Sequence, residues 1–124
     1  MPSKPAVKII ALFRRKSGLS MQEFMEYYEN KHVPMILKIA PFMMDYRRNF
    51  VRSGSEEMPA VIGGAPECDV ITEAWFENHE AFEKFNAAAA KHSEALKRDE
   101  LNFLDQDSLR MFIVDERTSD LRPE

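Results

Sequence analysis

The segment AVKIIALF, residues 6–13, constrains the fold most, because it alternates like a β-strand and yet is apolar on both faces. The apolar side chains divide between the two faces: Val7, Ile9, Ala11 and Phe13 lie on one, and Ile10 and Leu12 on the other. An antiparallel sheet in a small protein usually leaves one face to water. We therefore expect something to cover each face of this strand.

A helix is predicted to begin directly after the turn that follows this strand. Ser20 and Glu23 form a capping-box pattern, so the helix should start near Met21. Its apolar stripe runs through Phe24 and Tyr28 and continues at the same spacing to His32, which therefore faces the core. Pro34 disfavours helical geometry at the residue before it, so we expect the helix to end near residue 31 or 32.

The remaining elements follow the same kind of pattern. A short helical turn is predicted within residues 34–42, a long loop at residues 52–68, and a short helical segment at residues 98–105. Asn78 is a plausible N-cap for a second long helix, with core spacing at Phe82, Phe85, Ala89 and Leu96. Three further strands are predicted, at residues 43–51, 69–76 and 108–116.

This order of strand, helix, strand, strand, helix and strand predicts an α+β fold of the ferredoxin-like βαββαβ type, with an antiparallel four-stranded sheet. Two helices cover only one face of such a sheet. The simplest cover for the other face is the sheet of a second copy, which predicts a homodimer through the sheet faces. We expect this pairing to leave an enclosed, mostly apolar chamber in each half.

Length and composition limit the remaining possibilities. We expect one domain over residues 1–124, with a loose arm at 1–5 and an exposed tail at 117–124. A net charge of −4 argues against nucleic-acid binding. No apolar stretch suits a membrane span or a signal peptide, and the single cysteine, Cys68, fits a reducing, cytoplasmic location. Three scattered histidines do not suggest a metal site.

The segment FRRKSGLSMQEFMEYYENKHVPMI, residues 13–36, resembles the EthD domain, a branch of the dimeric α/β-barrel superfamily. The matching positions are Arg14, Arg15, Gly18, Ser20, Glu23, Phe24, Tyr28, His32 and Pro34. EAWF at residues 73–76 and RDELNFLD at 98–105 are similar to the family as well, whereas Tyr28 stands where tryptophan is more common. The resemblance implies a homodimer of ferredoxin-like subunits, usually without a cofactor, and relatives that act on aromatic or polyketide-like molecules.

His32 is the leading candidate for catalysis. By itself, a histidine at a helix end is better explained as a structural residue, with a hydrogen bond to the backbone and stabilisation by the helix dipole. The family motif favours the other interpretation, in which a partly buried imidazole takes a proton from a carbon acid or phenol and returns it elsewhere.

Tyr46 and Glu73 are the other candidate catalytic residues. Tyr46 is predicted to donate a hydrogen bond to an oxygen that becomes negative, although a core tyrosine with a satisfied hydroxyl is the alternative. Glu73 lies between Ile71 and Trp75 on one strand face, and if that face lines the chamber, desolvation should raise its pKa. The alternative for Glu73 is a carboxylate paired with Arg47 or Arg48.

Five residues are predicted to contact the substrate. They are Tyr28, Met44, Asn49, Trp75 and Phe112. The preferred function is a cofactor-independent lyase or isomerase that moves protons on an apolar carbonyl compound. The alternatives are a noncatalytic small-molecule-binding or accessory protein of an oxygenase pathway, a cofactor-free monooxygenase, and, with weaker support, a haem-binding protein.

Overall fold

The computed structural model describes residues 6–52 and 67–123, and it is an α+β fold with an antiparallel four-stranded sheet. The strands are β1 (Val7–Arg15), β2 (Asp45–Phe50), β3 (Val70–Phe76) and β4 (Leu104–Val114), in the spatial order β2-β3-β1-β4. The helices are α1 (Met21–Tyr27), α2 (Val33–Ile39), α3 (His79–Lys91) and α4 (Ser93–Glu100). The predicted ferredoxin-like arrangement is confirmed. The arm at residues 1–5 and most of the long loop lie outside the described residues.

The start of α1 follows from the capping box that the sequence predicts. The Ser20 hydroxyl accepts a hydrogen bond from the Glu23 backbone N–H at 3.1 Å, and the Glu23 carboxylate accepts one from the Ser20 N–H at 3.0 Å. Two backbone donors that the first helical turn leaves open are thereby satisfied. This fixes the register in which Phe24 and Tyr28 point into the core, where both are buried.

The expectation that the first helix ends near residue 31 or 32 is wrong. A π-helical turn (Tyr28–His32) follows α1, and α2 continues directly from it. Val33 keeps helical angles, φ −59° and ψ −50°, and its N–H bonds the carbonyl of Tyr28. Pro34 then occupies the first turn of α2, where a missing N–H costs little. The wider π turn gives the chain a place to change register before the proline.

The two faces of the sheet differ in what covers them. On the helix side, Ile9, Phe13, Val70, Ala74 and Phe76 are buried under the helices. On the opposite face, which we call the outer face, the register places Ile10 beside Glu73 and Phe112, and Lys8 beside Trp75 and Val114. Phe112 is 49% exposed there. No helix of the described chain covers the outer face.

The elements of the second half agree with the predicted order and differ in their limits. Asn78 caps α3 by accepting a hydrogen bond from the Ala81 N–H at 2.9 Å. β4 begins at Leu104, four residues before the predicted start, because the chain turns directly from α4 into the sheet. Residues 117–123 are exposed. Among the described residues, no helix has the length and apolar character needed to cross a membrane.

Candidate active site

A cavity of about 350 Å³ lies between the helix side of the sheet and the helices. It is formed within one chain and does not require the pairing of two sheets, which was expected to enclose a chamber. Its floor is made by the helix side of all four strands, and its walls by the π-helical turn, α2, α3 and α4. The lining side chains are mostly apolar: Ile9, Ala11, Phe13, Ile36, Met43, Ala74, Phe76, Phe85, Ala89, Leu96, Leu104, Leu109 and Met111. The polar members are Tyr28, His32, Tyr46, Thr72, Asn86 and Glu100.

His32 lies at the wall of this cavity, and a buried carboxylate holds its ring. Its Nδ1 bonds Asp99 Oδ2 at 2.5 Å, and Asp99 is only 7% exposed. The other Asp99 oxygen accepts a hydrogen bond from the Tyr27 hydroxyl at 2.9 Å, which in turn accepts one from Asn102 at 3.0 Å. Because a carboxylate can only accept, the neutral ring carries its proton on Nδ1, and its lone pair is on Nε2.

Aromatic packing fixes the plane of the imidazole. The His32 ring centre lies 5.0 Å from that of Phe103 and 5.3 Å from that of Tyr28, both fully or almost fully buried. Within the described parts of the chain, no protein group hydrogen-bonds His32 Nε2. The hydrogen bond from Nδ1 to Asp99 therefore fixes the orientation of the ring, and Nε2 is available to a ligand.

A second polar group, formed by the hydroxyls of Tyr46, Tyr28 and Thr72, lines the same cavity. The hydroxyls of Tyr28 and Thr72 lie 2.6 Å apart, and Tyr28 also interacts with the Tyr46 hydroxyl. Burial, together with the neighbouring Tyr28, raises the pKa of Tyr46 strongly, and burial likewise raises the pKa of Tyr28. Both phenols therefore stay protonated at any ordinary pH and can act as hydrogen-bond donors.

Arg48 supports this hydroxyl group from the side. Its guanidinium makes a two-pronged ion pair with Glu29, at 2.7 and 2.9 Å, and lies 4.7 Å from the centre of the Tyr46 ring. A planar guanidinium suits both contacts. Arg48 is thus already paired and positions Tyr46. The pairing of Glu73 with Arg48, one of the alternatives weighed from the sequence, does not occur.

Glu73 lies on the outer face, away from the cavity, and the expectation that its pKa is raised is wrong. The Lys8 ammonium bonds Glu73 at 3.0 Å, and Asn49 donates to the other carboxylate oxygen at 3.2 Å. The bond from Lys8 is the largest cause of a lowered pKa at Glu73. Lys8 also bonds Glu116 at 2.9 Å, so that this face carries a satisfied ionic network.

Four of the five predicted substrate contacts do not line the cavity. Asn49, Trp75 and Phe112 lie on the outer face, where Lys8 stands 4.4 Å above the Trp75 ring and Glu116 accepts the indole N–H at 3.0 Å. Met44 is 58% exposed just before β2. Tyr28 is the one that lines the cavity, together with the candidate catalytic residues His32 and Tyr46.

Besides Thr72 and Asn86, two acidic residues at this site, Asp99 and Glu100, were not singled out from the sequence. They are neighbours at the end of α4, within the segment RDELNFLD, which the family resemblance included without assigning roles. Burial raises the pKa of the Glu100 carboxyl. Their signal was the adjacency of two acidic residues beside the core residues Leu96 and Phe103. In residues 6–52 and 67–123, no cluster of three or more potential ligands could hold a metal ion.

Chemically, the arrangement offers a base, hydrogen-bond donors and a mostly apolar space. An imidazole that is fixed through Nδ1 can accept a proton at Nε2, and phenol hydroxyls in an apolar cavity can stabilise a developing negative oxygen.

Comparison with known proteins places the chain in a family. The EthD domain model matches residues 16–107. No curated protein matches the sequence significantly. Among solved structures, an EthD family protein from Bacillus halodurans is 24% identical, with a TM-score of 0.61 over 90% of this chain and 99% of its own.

Two solved structures of named enzymes share the fold at lower identity. SnoaB, a cofactor-independent oxygenase from Streptomyces nogalater, is 12% identical, with a TM-score of 0.57 over 95% of this chain and 99% of its own. Hydroxynitrile lyase from Passiflora edulis is 17% identical, with a TM-score of 0.50 over 95% of this chain and 100% of its own. At these identities the likeness concerns the fold. Because the EthD domain model matches residues 16–107, which is well over half of the sequence, this chain belongs to the EthD domain family.

Proposed function

We propose that this protein is a small cofactor-independent enzyme of the lyase or isomerase type, which moves protons on an apolar, aromatic or polyketide-like carbonyl compound. The observation that carries the proposal is the His32–Asp99 pair at the wall of an apolar cavity. His32 lines a ligand-sized cavity, a buried carboxylate holds one of its nitrogens, and no described group hydrogen-bonds the other, which leaves it available to a ligand.

The proposed chemistry begins at carbon. His32 Nε2 removes a proton from the carbon next to the carbonyl group, and the carbonyl oxygen becomes negative. Asp99 stabilises the imidazolium that forms, and the Tyr46 hydroxyl donates a hydrogen bond to the oxygen. The proton then returns at another carbon, or a group departs. Dehydration, cyclisation and double-bond migration share this first step, whereas decarboxylation reaches the same enolate by loss of carbon dioxide and needs His32 only to return a proton.

The relatives support an enzyme over a binding protein at the level of analogy. One fold neighbour is named a cofactor-independent oxygenase and another a hydroxynitrile lyase. Both are named as enzymes, and a cavity of about 350 Å³ in this chain has room for a small-molecule substrate. Oxygenation remains the second candidate reaction because a base that forms a phenolate or enolate serves it equally well.

We further propose that the protein is a homodimer paired through the outer face. Ile10, Leu12, Ile71 and Phe112 give this face an apolar strip beside the Lys8 network. Light scattering should report twice the chain mass for the wild type and a monomer for Leu12→Glu, because a carboxylate in the strip would lose its hydration on pairing. A monomeric wild type would refute the pairing.

The function can be tested before the true substrate is known. A bicyclic aryl ketone such as tetralone is flat and apolar, and its α-hydrogens exchange with solvent deuterium only through enolisation, which NMR follows directly. We expect the wild type to catalyse this exchange and His32→Ala to lose about 10²–10⁴-fold in rate. His92→Ala is the matched control, since His92 is exposed and does not line the cavity.

The outcomes separate the candidate functions. Exchange that depends on His32 supports proton-transfer catalysis. Binding of the ketone without exchange would indicate a noncatalytic binding protein. Consumption of dioxygen with an electron-rich phenol would favour the oxygenase. Equal exchange in the wild type and in His32→Ala would remove the role of His32.

A further inference from the structure

Glu100 is a carboxyl group at the wall of the cavity that the mechanism above does not use. It is the last residue of α4 and is only partly exposed. Within the described residues, the carboxyl group accepts one hydrogen bond, from the Gln106 side chain at 3.4 Å, and this bond is long and weak. An acidic side chain in such an apolar lining is unfavourable unless it is protonated or serves a ligand.

The groups that face Glu100 come from three elements. Asp99 and Lys97 lie on its own helix, His32 faces it from the π-helical turn, and Gln106 from β4. Burial is the largest influence and raises the pKa of the Glu100 carboxyl, the charge of Asp99 adds to the rise, and Gln106, His32 and Lys97 oppose it. The carboxyl therefore keeps its proton to a higher pH than an exposed glutamate does.

We propose that Glu100 is a second catalytic residue of this cavity, a general acid that protonates a departing hydroxyl group while His32 acts as the base. The site would then eliminate water from a β-hydroxy carbonyl compound. This inference rests on the proposed function and narrows its reaction class. Isomerisation through one enolate needs a single proton carrier, whereas loss of hydroxide, a poor leaving group, needs an acid beside the base.

The step balances without any further reactant. His32 Nε2 takes the α-proton, and the electron pair of the C–H bond forms the new carbon–carbon double bond. The carbon–oxygen bond breaks, and its electron pair leaves with the hydroxyl group, which takes the Glu100 proton and departs as water. The imidazolium of His32 and the carboxylate of Glu100 then exchange a proton through solvent, which restores the starting state. No electron is gained or lost overall.

The substrate class follows from the two polar groups of the cavity. The Tyr46 hydroxyl, supported by those of Tyr28 and Thr72, can hold the carbonyl oxygen, while His32 and Glu100 act on the adjacent carbon and on the β-hydroxyl. The rest of the lining is apolar and suits a flat hydrocarbon skeleton. An aryl or polyketide-like compound with a carbonyl group and a hydroxyl on the β-carbon fits these contacts.

The test compares two reactions in the same variants. Tetralone exchange reports the base alone. Dehydration of the aldol adduct of benzaldehyde and acetone reports base and acid together, because the product, benzylideneacetone, absorbs strongly in the ultraviolet. Glu100→Gln keeps the size and the hydrogen bond from Gln106 but cannot donate a carboxyl proton. Glu94→Gln, an exposed residue of the same helix, is the matched control.

We expect Glu100→Gln to lower the dehydration rate by at least about 100-fold and the exchange rate by less than about tenfold. We expect the pH profile of dehydration to have two limbs in the wild type and to lose one of them in Glu100→Gln, which loss of a structural role alone would not cause. His32→Ala should lose both reactions, and Glu94→Gln neither.

Two results would overturn the inference while the proposed function stands: dehydration in Glu100→Gln at the wild-type rate, or a wild type that exchanges tetralone without dehydrating the adduct. If the wild type does not catalyse tetralone exchange, the proposed function is refuted, and this inference is refuted with it. Circular dichroism of each variant confirms that a lost rate reflects chemistry and not unfolding.

Discussion

Asp99→Asn should reverse the proton position on His32 and so turn the base into a donor. In the wild type, the carboxylate accepts from His32 Nδ1 at 2.5 Å and from the Tyr27 hydroxyl at 2.9 Å. In the variant, the amide oxygen can still accept from Tyr27, and the amide NH₂ then faces His32. The ring must offer a lone pair at Nδ1, which puts its proton on Nε2, toward the cavity.

The expected magnitudes follow from these contacts. A base with the wrong tautomer loses its contribution to catalysis, about 10²–10⁴-fold in the tetralone exchange rate. Both hydrogen bonds persist but become neutral, so each falls from about 1.5–3 kcal/mol to about 0.5–1.5 kcal/mol. The free energy of unfolding should therefore drop by about 2–3 kcal/mol, measured by urea denaturation.

Nitrogen–proton correlation NMR of the His32 ring tests the cause directly. We expect a proton on Nδ1 in the wild type and on Nε2 in Asp99→Asn. Tyr27→Phe is the control, since it removes the other bond to Asp99 and leaves the carboxylate beside His32. It should lower stability by about 1.5–3 kcal/mol with little change in rate. A variant Asp99→Asn with an unchanged tautomer and an unchanged exchange rate would refute the reasoning.

Three further predictions concern the tyrosine group, the outer face and the core. Tyr46→Phe should lower the tetralone exchange rate by about 10²–10³-fold without loss of the fold, because the enolate oxygen loses a donor; equal rates in NMR would contradict its role. The folded-state pKa of Glu73 is lowered from its ordinary 4.5, so its pairing with Lys8 stabilises the protein above that pH, and this stabilisation is lost as the pH falls. Glu73→Gln should therefore reduce the decline of the unfolding free energy on acidification, measured by urea denaturation at several pH values. An unchanged decline in the variant would count against the ion pair. Phe103 is fully buried between Tyr27, Tyr28, Phe13 and Phe24. Phe103→Ala should therefore lower the free energy of unfolding, measured by urea denaturation, by about 3–5 kcal/mol. A loss under about 1 kcal/mol would show that the core collapses into the space left by the ring.

The local sequence determined those features whose cause lies within a few residues. The capping box at Ser20 and Glu23, the cap at Asn78 and the alternation of Ile71, Glu73 and Trp75 needed only neighbouring side chains, and the structure has all of them. The element order followed from those periods, and with it the ferredoxin-like fold. For the same reason, helical spacing was enough to predict that His32 faces the core.

Contacts between distant parts of the chain decided the rest. Asp99 lies 67 residues from His32, and only the return of α4 across the sheet brings them together. Glu73 looked like a residue of a buried chamber because its neighbours Ile71 and Trp75 are apolar, but Lys8 and Asn49, from two other strands, hold it as an ionised group on the outer face. The alternation along a strand predicts which residues share a face of the sheet. Which face encloses a cavity depends on the side on which the helices pack.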